Sequence, residues 1–115
     1  MSRIMLTASE ARTKALQDIF VLREIRDLEE EVLLASADGA VQVIVATTST
    51  MAKNAADVGY ATAAEYFDAW TGARDDRQKT LQMNKVVQYF SDLGYTIDRQ
   101  TNSITQTTFQ WVIAW

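Results

Sequence analysis

Four glycines and a complete absence of proline determine where this chain of 115 residues can interrupt its secondary structure. Glycine adopts left-handed backbone conformations at little steric cost, so it commonly ends helices and forms turns. We therefore expect breaks at Gly39, Gly59, Gly72 and Gly94. A chain of this length is the size of one domain with one hydrophobic core, so the expected organisation is a single domain over residues 1–115.

The segment before the first glycine has the periodicity of a long amphipathic helix. Residues 7–10 (TASE) have the form of a capping box, in which a hydroxyl and a glutamate satisfy backbone amides at the start of a helix. Over residues 8–37 the apolar side chains recur at steps of three and four: Leu16, Ile19, Phe20, Leu22, Ile25, Leu28, Val32 and Ala35. The spacing predicts a helix of about 30 residues and roughly 45 Å, longer than the body of a domain this size.

This apolar stripe has two interpretations. In the first, residues 16–32 pack across a sheet as an ordinary core helix. In the second, the stripe extends beyond the domain and pairs with copies of itself, as in a helical bundle or coiled coil. The stripe spans only about three heptads, which is short for a coiled coil, but the length of the helix favours some self-association. The candidate contacts on this helix are Leu22, Ile25, Leu28 and Val32.

A strand is predicted immediately after the first glycine. Residues 40–50 (AVQVIVATTST) are rich in β-branched side chains, and Val41, Val43 and Val45 alternate with their neighbours. Because the opposite face is also mostly apolar, we expect a strand that is covered on both sides.

Shorter helices are predicted next. We expect a short helical turn within residues 51–58, and the capping-box spacing of residues 62–65 (TAAE) predicts a second helix. Asp75 or Asp76 is expected to begin a third helix that ends at Gly94. The apolar faces of the second and third helices consist of Ala63, Tyr66, Phe67 and Trp70, and of Met83, Val86, Val87, Phe90 and Leu93.

Residues 95–115 (YTIDRQTNSITQTTFQWVIAW) predict a β-hairpin, because two alternating stretches flank a cluster of threonine, asparagine and serine. The second stretch has large apolar residues on one face: Phe109, Trp111, Ile113 and Trp115. We expect this face to close the core under the helix that holds Phe90 and Leu93. The reverse face has little polarity, and we expect a neighbouring subunit to cover Val112 and Ala114.

Together these elements predict an α+β fold. It has a long N-terminal helix, a small and mainly antiparallel β-sheet that includes the C-terminal β-hairpin, and further helices packed on one face.

The composition excludes several kinds of catalytic and metal site. Without cysteine or histidine, the chain cannot form a thiolate nucleophile, a disulfide, a thiolate zinc site or a Ser–His–Asp triad. Glycine-rich phosphate-binding motifs and a G-x-S-x-G motif are also absent from the sequence. Carboxylate groups remain, but we expect residues 29–31 (EEE) to form a solvated helix face and Asp75 and Asp76 to cap a helix. The sequence therefore predicts no enzyme activity and no catalytic, cofactor-binding or metal-binding residues.

Net charge and hydropathy indicate whether nucleic acid or a membrane is an expected partner. The net charge of −4 disfavours a protein that binds nucleic acid by neutralising phosphates. Aromatic residues on the hairpin, with Lys79, Lys85 and Arg99 nearby in sequence, are compatible with single-strand binding. We favour core packing for these aromatic residues, because the chain lacks a basic cluster. The apolar runs are far shorter than the roughly 18 residues of a membrane span, and the N-terminus lacks secretory-signal features, so no membrane partner is expected.

Two stretches of the C-terminal half resemble small structural or uncharacterised proteins of contractile-tailed phages that infect marine cyanobacteria. The stretches are AAEYFDAWTG (residues 63–72) and DDRQKTLQMNKVVQYFSDLGYTIDRQTNSITQTTFQWVIAW (residues 75–115), and the LLASADGAVQVIVATTSTM segment (residues 33–51) is similar in outline. The positions that carry the resemblance are Tyr66, Trp70, Gly72, Met83, Asn84, Tyr89, Phe90, Leu93, Gly94, Tyr95, Ile97, Arg99, Thr101, Asn102, Phe109, Trp111, Ile113 and Trp115. These motifs are structural, so the resemblance implies a non-enzymatic protein that assembles with copies of itself or with other phage particle proteins, in the virion or the host cytoplasm.

The sequence supports two main hypotheses about function. The first is a phage-like structural or assembly protein that acts through protein–protein contacts and self-associates as a homo-oligomer. The alternative is a small regulatory or adaptor module that binds a protein partner. Single-stranded nucleic-acid binding and an enzyme that uses carboxylates alone are the less favoured possibilities.

Overall fold

The computed structural model of this protein describes residues 18–46, 48–52 and 60–115, and this part of the chain has three helices and three strands. In chain order they are α1 (Ile19–Ala37), β1 (Gln42–Val45), α2 (Tyr60–Thr71), α3 (Arg77–Asp92), β2 (Thr96–Thr101) and β3 (Phe109–Ala114). The predicted α+β fold with a small antiparallel sheet and a C-terminal strand pair is confirmed. The capping box predicted at residues 7–10 and most of the helical turn predicted within residues 51–58 lie outside the described residues.

Helix α1 begins later than the sequence pattern predicts. Asp18 has an extended backbone, with φ −80° and ψ 118°, and its carboxylate accepts the N–H of Phe20 at 2.9 Å. Gln82 also donates to this carboxylate at 2.8 Å, which ties the start of α1 to α3. The prediction of one continuous helix over residues 8–37 is therefore wrong, because an N-cap interrupts it. The 19 residues of α1 span about 28 Å, so its length no longer argues for a helix that projects beyond the domain.

The other end of α1 was correctly predicted. Gly39 has a φ of 83°, and beyond it the N–H of Ala40 donates to the carbonyl of Ala35 at 3.0 Å. This six-to-one hydrogen bond is the mark of a Schellman cap, which needs a left-handed residue. The chain then turns directly into β1.

The sheet has β3 in its centre, in the order β1–β3–β2, and both pairings are antiparallel. In β1, Val43 lies opposite Ile113 and Val45 opposite Trp111. The hairpin partner β2 pairs with β3 from Thr96 to Thr101. The last strand of the chain is therefore the one that holds the sheet together.

All three helices pack against one face of the sheet, where Phe109, Trp111 and Ile113 are fully buried. Trp111 contacts α1 through a hydrogen bond to Glu24, and the ring of Phe109 meets Trp70 of α2 edge-on at 5.7 Å. The core also includes these side chains of the helices and β1: Val21, Ile25, Leu28, Val32, Val45, Tyr66, Ala69, Met83, Val86, Tyr89 and Phe90.

Three details of the predicted core and strands need correction. Leu93, at the C-cap of α3, is 48% exposed, and Trp115 is 38% exposed, so neither closes the core as expected. Strand β1 is an edge strand with Ile44 52% exposed, so it is covered on one side only. A sheet with helices on a single face leaves the alternate side chains of each strand on the uncovered side.

Of the N-terminal caps predicted for the later helices, the cap of α3 is correct and the cap of α2 is wrong. The carboxylate of Asp76 accepts the N–H of Lys79 at 3.2 Å, so Asp76 caps α3 as predicted. Helix α2 begins at Tyr60, which places Thr62 inside the helix and not at its cap. Helical structure had already begun two residues before the TAAE motif.

Candidate functional site

The outer side of the sheet, which the helices do not cover, carries a row of apolar side chains across β1 and β3. Ile44 lies directly opposite Val112, and Gln42 lies opposite Ala114. Val112 and Ala114 are half-buried, and Ile44 is exposed. We call Ile44, Val112 and Ala114 the outer apolar row. On the far strand β2 the same face is polar, with Thr96, Asp98 and Gln100 as the facing residues.

Of the contacts predicted on the first helix, three are not available to a partner. Ile25, Leu28 and Val32 are buried within the domain, so the core-helix interpretation of the stripe is the correct one for them. Leu22 is half-buried and lines a surface depression with Ile19 and Arg26. Of the predicted contacts, the structure therefore leaves Leu22, Val112 and Ala114 at least partly accessible to a second protein.

A second apolar surface lies where α1 and α3 end. A groove of about 270 Å³ runs between these helices and is lined by Glu29, Val32, Leu33, Phe90, Leu93 and Tyr95. Leu33 is 70% exposed, and the ring of Tyr95 meets that of Trp115 edge-on at 6.2 Å, which extends the surface to the end of the chain. We call this the α1–α3 groove. Large exposed apolar patches on folded domains are often sites of protein contact.

The carboxyl group of Glu24 is the most unusual polar feature of the interior. It is fully buried on the core face of α1. It accepts hydrogen bonds from the hydroxyl of Ser49, from the N–H of Met51 at 3.2 Å, and from the indole Nε1 of Trp111 at 2.8 Å. Ser49 also accepts the N–H of Ala52 at 3.0 Å, so the turn over residues 49–52 is ordered around this carboxyl.

Burial raises the pKa of Glu24 to about 7, although its three hydrogen-bond donors act in the opposite direction. A carboxyl with a pKa near neutrality is a group that enzymes use for acid–base chemistry. Here the side chain has no exposed surface, so a substrate cannot reach it in this conformation. The hydrogen bonds instead join α1, the 49–52 turn and β3, which is a structural arrangement.

The acidic residues at 29–31, 75 and 76 have separate environments. Glu29 accepts the hydroxyl of Tyr89 at 2.7 Å, Glu30 and Asp75 are exposed, and Glu31 is half-buried. Asp76 accepts the backbone N–H of Lys79 and the ammonium of the same residue at 3.1 Å, and these hydrogen bonds hold the pKa of Asp76 below its usual value. Within residues 18–46, 48–52 and 60–115, no three acidic residues are grouped closely enough to hold a metal ion.

The aromatic residues of the hairpin do not form an exposed stacking platform. Phe109 and Trp111 are fully buried, so a base cannot stack on their rings. Arg99 lies between two indoles, with its guanidinium carbon 5.7 Å from the ring of Trp70 and 5.8 Å from that of Trp111. Burial lowers the pKa of Arg99, and its Nε is buried without a hydrogen-bond partner. The guanidinium of Arg99 therefore packs against two indole rings at the edge of the hydrophobic core.

Sequence reasoning missed the α1–α3 groove and the burial of Glu24. Leu33 lies outside the predicted apolar stripe of the first helix, and Leu93 lies on the predicted apolar face of the helix that ends at Gly94. The burial of Glu24 does have a sequence signal. Glu24 lies three residues after Val21 and four before Leu28, so helical spacing places it on the buried face of α1. Its donors are 25 to 87 residues away, so the sequence pattern does not identify them.

Comparisons with known proteins identify no relative: no family model, no curated protein and no solved structure matches this chain. Across the described helices, none is both long and apolar enough to cross a membrane.

Proposed function

We propose that this protein is a structural or assembly protein that acts through protein–protein contacts and self-associates. The observation that carries the proposal is the outer apolar row on an edge of the sheet. Ile44 is half exposed on the edge strand β1 and lies beside Val112, so an apolar strip reaches the edge of the sheet with no element of the described chain over it. Apolar side chains in that position are stabilised when another protein covers them.

The resemblance to small phage proteins supports a particle component as the specific role. On this proposal the partners are other copies of the chain or other phage particle proteins, and the protein works in the virion or the host cytoplasm without enzyme activity. Burial raises the pKa of Glu24, and the inaccessibility of its carboxyl group is compatible with a non-catalytic role.

The α1–α3 groove favours a second candidate, a small adaptor that binds another protein. The groove combines apolar walls at Leu33 and Leu93 with the carboxylate of Glu29 at its side. A segment with one or two apolar side chains beside a basic residue would match this chemistry. The groove is small, so this candidate predicts a short peptide-like ligand.

Two measurements separate these roles. Chemical cross-linking of the purified chain from micromolar to millimolar concentration should give a product of two chains that increases with concentration. Mass spectrometry of purified particles should detect peptides of the protein. A chain that never cross-links to itself and is absent from particles, although abundant in infected cells, would contradict the structural role and favour the adaptor.

A further inference from the structure

Within the described part of the chain, β1 pairs with β3 on one side only, and no strand pairs with its outer edge. The N–H of Trp115 donates to the carbonyl of Val41 at 2.9 Å, which makes these two residues a hydrogen-bonded pair at the end of the β1–β3 ladder. In an antiparallel ladder, hydrogen-bonded pairs alternate along the strand. The register therefore directs the N–H and C=O of Val43 and Val45 towards β3. Those of Gln42 and Ile44 point away from the sheet, at its edge.

This edge lacks the features by which proteins usually prevent strand pairing. Edge strands are commonly protected by a charged side chain, a proline or a bulge. Residues 40–46 (AVQVIVA) contain no charge and no proline, and the four pairs between β1 and β3 are consecutive. The opposite edge strand, β2, carries Asp98 and Arg99. Of the two edges of this sheet, the β1 edge is therefore the one that is open to another strand.

We infer that the β1 edge pairs with the β1 edge of a second copy of this chain, antiparallel and across a two-fold axis. This inference rests on the proposed self-association and names the contact that produces it. With Gln42 opposite Ile44 of the second copy, and the reverse, about four main-chain hydrogen bonds form. The two sheets become one sheet of six strands.

The same register explains why a second copy fits. Directly opposed residues lie on the same face of a sheet, so Val43 meets its own equivalent on the helix side and extends the core. Gln42 and Ile44 meet on the outer side, next to the outer apolar row of each copy. The chain carries a net charge of −4, yet the pairing segment is uncharged, so no like charges are opposed at the contact.

The size of this contact sets its expected strength. Stable protein interfaces bury about 1,200–2,000 Å², and a seam of two strands with four residues each is smaller than that. The dimer should therefore exchange with the monomer, and its population should increase with protein concentration.

Sedimentation velocity of the full chain and two edge variants tests the inference. Gln42→Pro removes an N–H that points away from the sheet, a position where edge strands tolerate proline. Ile44→Lys places a charge between the two paired β1 strands. The control Thr96→Lys makes a similar charge change at an exposed site on the same face of the sheet, in β2. We expect association to weaken at least about tenfold in both edge variants and to be unchanged in Thr96→Lys. Far-ultraviolet circular dichroism should show all variants folded.

Amide hydrogen exchange of the unmodified chain provides a test that needs no variant. The N–H groups of Gln42 and Ile44 should gain protection as concentration increases, while that of Ile97, on the outer edge of β2, should not. The inferred pairing of β1 is wrong if the chain dimerises while these amides stay unprotected, or if both edge variants dimerise normally. Either result leaves the proposed self-association in place. If the unmodified chain stays monomeric, both proposals fail.

Discussion

The indole Nε1 of Trp111 donates a hydrogen bond to the carboxyl of Glu24, a residue 87 positions earlier in the chain, at 2.8 Å. Both side chains are fully buried. The same carboxyl also accepts the hydroxyl of Ser49 and the N–H of Met51. The buried carboxyl of Glu24 therefore links α1 to the central strand β3 and orders the turn that follows β1. This is the edge strand that we infer to pair in the dimer.

The stability of the domain should depend on pH through Glu24. Its pKa is about 7 in the folded state, against an ordinary glutamate value of 4.5, so the folded protein binds this proton more tightly than the unfolded chain does. The resulting stabilisation is complete below about pH 4.5 and is lost as the pH rises through about 7, on the order of 3 kcal/mol in total. Urea unfolding at about pH 5 and about pH 8 measures the change.

Two substitutions separate this effect from other titrations. Glu24→Gln should remove most of the fall in stability between these pH values, and Glu30→Gln, an exposed site on the same helix, should retain it. Glu24→Gln should also be less stable at low pH, because its NH₂ group would face the N–H of Met51 or Trp111. An identical dependence on pH in Glu24→Gln and the unmodified chain would show that Glu24 is not the titrating group.

Trp111→Phe should destabilise the domain by about 1–4 kcal/mol, because it removes a buried donor to Glu24 and leaves a partial cavity. Loss of that donor should also raise the pKa of Glu24 further, which moves the pH-dependent step upward. Trp70→Phe removes an indole that is only partly buried and is not among the hydrogen-bond donors to Glu24, and it should leave the pH-dependent step in place. Denaturant unfolding across pH tests both variants. A Trp111→Phe protein with unchanged stability would be inconsistent with this bond.

Deletion of residues 111–115 should unfold the domain. The deletion removes every residue of β3 that pairs with β1 and four of the six that pair with β2. It also removes two core residues, Trp111 and Ile113. Deletion of Trp115 alone should leave the fold intact, because this side chain is partly exposed and its backbone makes one hydrogen bond to Val41. Circular dichroism and thermal unfolding distinguish the two. A folded monomer lacking residues 111–115 would mean that the segment is an interaction tail.

Asp76→Ala should lower the melting temperature by about 5 °C, because α3 loses its N-cap. Asp75→Ala is the matched control: it removes an adjacent, exposed carboxylate and should change the melting temperature little. Asp76→Asn should recover most of the loss, since its amide oxygen can accept the N–H of Lys79. Equal effects of the Asp75 and Asp76 substitutions would assign the contribution to charge and not to capping.

The sequence was most informative where the pattern is local. The alternation of Phe109, Trp111 and Ile113 predicted the hairpin and favoured this face as the buried one, because side chains of a strand alternate between two sides. The low polarity of Val112 and Ala114 left the choice of face open in the sequence. The cap at Asp76 and the turn at Gly39 were predictable for the same reason, since both depend on neighbouring residues. These local signals were sufficient for the fold class.

The remaining features depend on residues that are distant in the sequence. Asp18 caps α1 through the nearby N–H of Phe20, but its carboxylate is also held by Gln82 of α3, a contact between residues 64 positions apart. The exposure of Leu93 and Ile44 follows from how helices and sheet are stacked, which periodicity alone does not determine. The open β1 edge could be recognised only after the strand order was known, because the sequence does not say which strand is central.

Self-association is measured by sedimentation equilibrium of the full chain from micromolar to millimolar concentration. We expect a weight-average mass that rises from the monomer value of 12.9 kDa towards about twice that value as concentration increases. A mass that stays at 12.9 kDa over the whole range would contradict the proposed self-association.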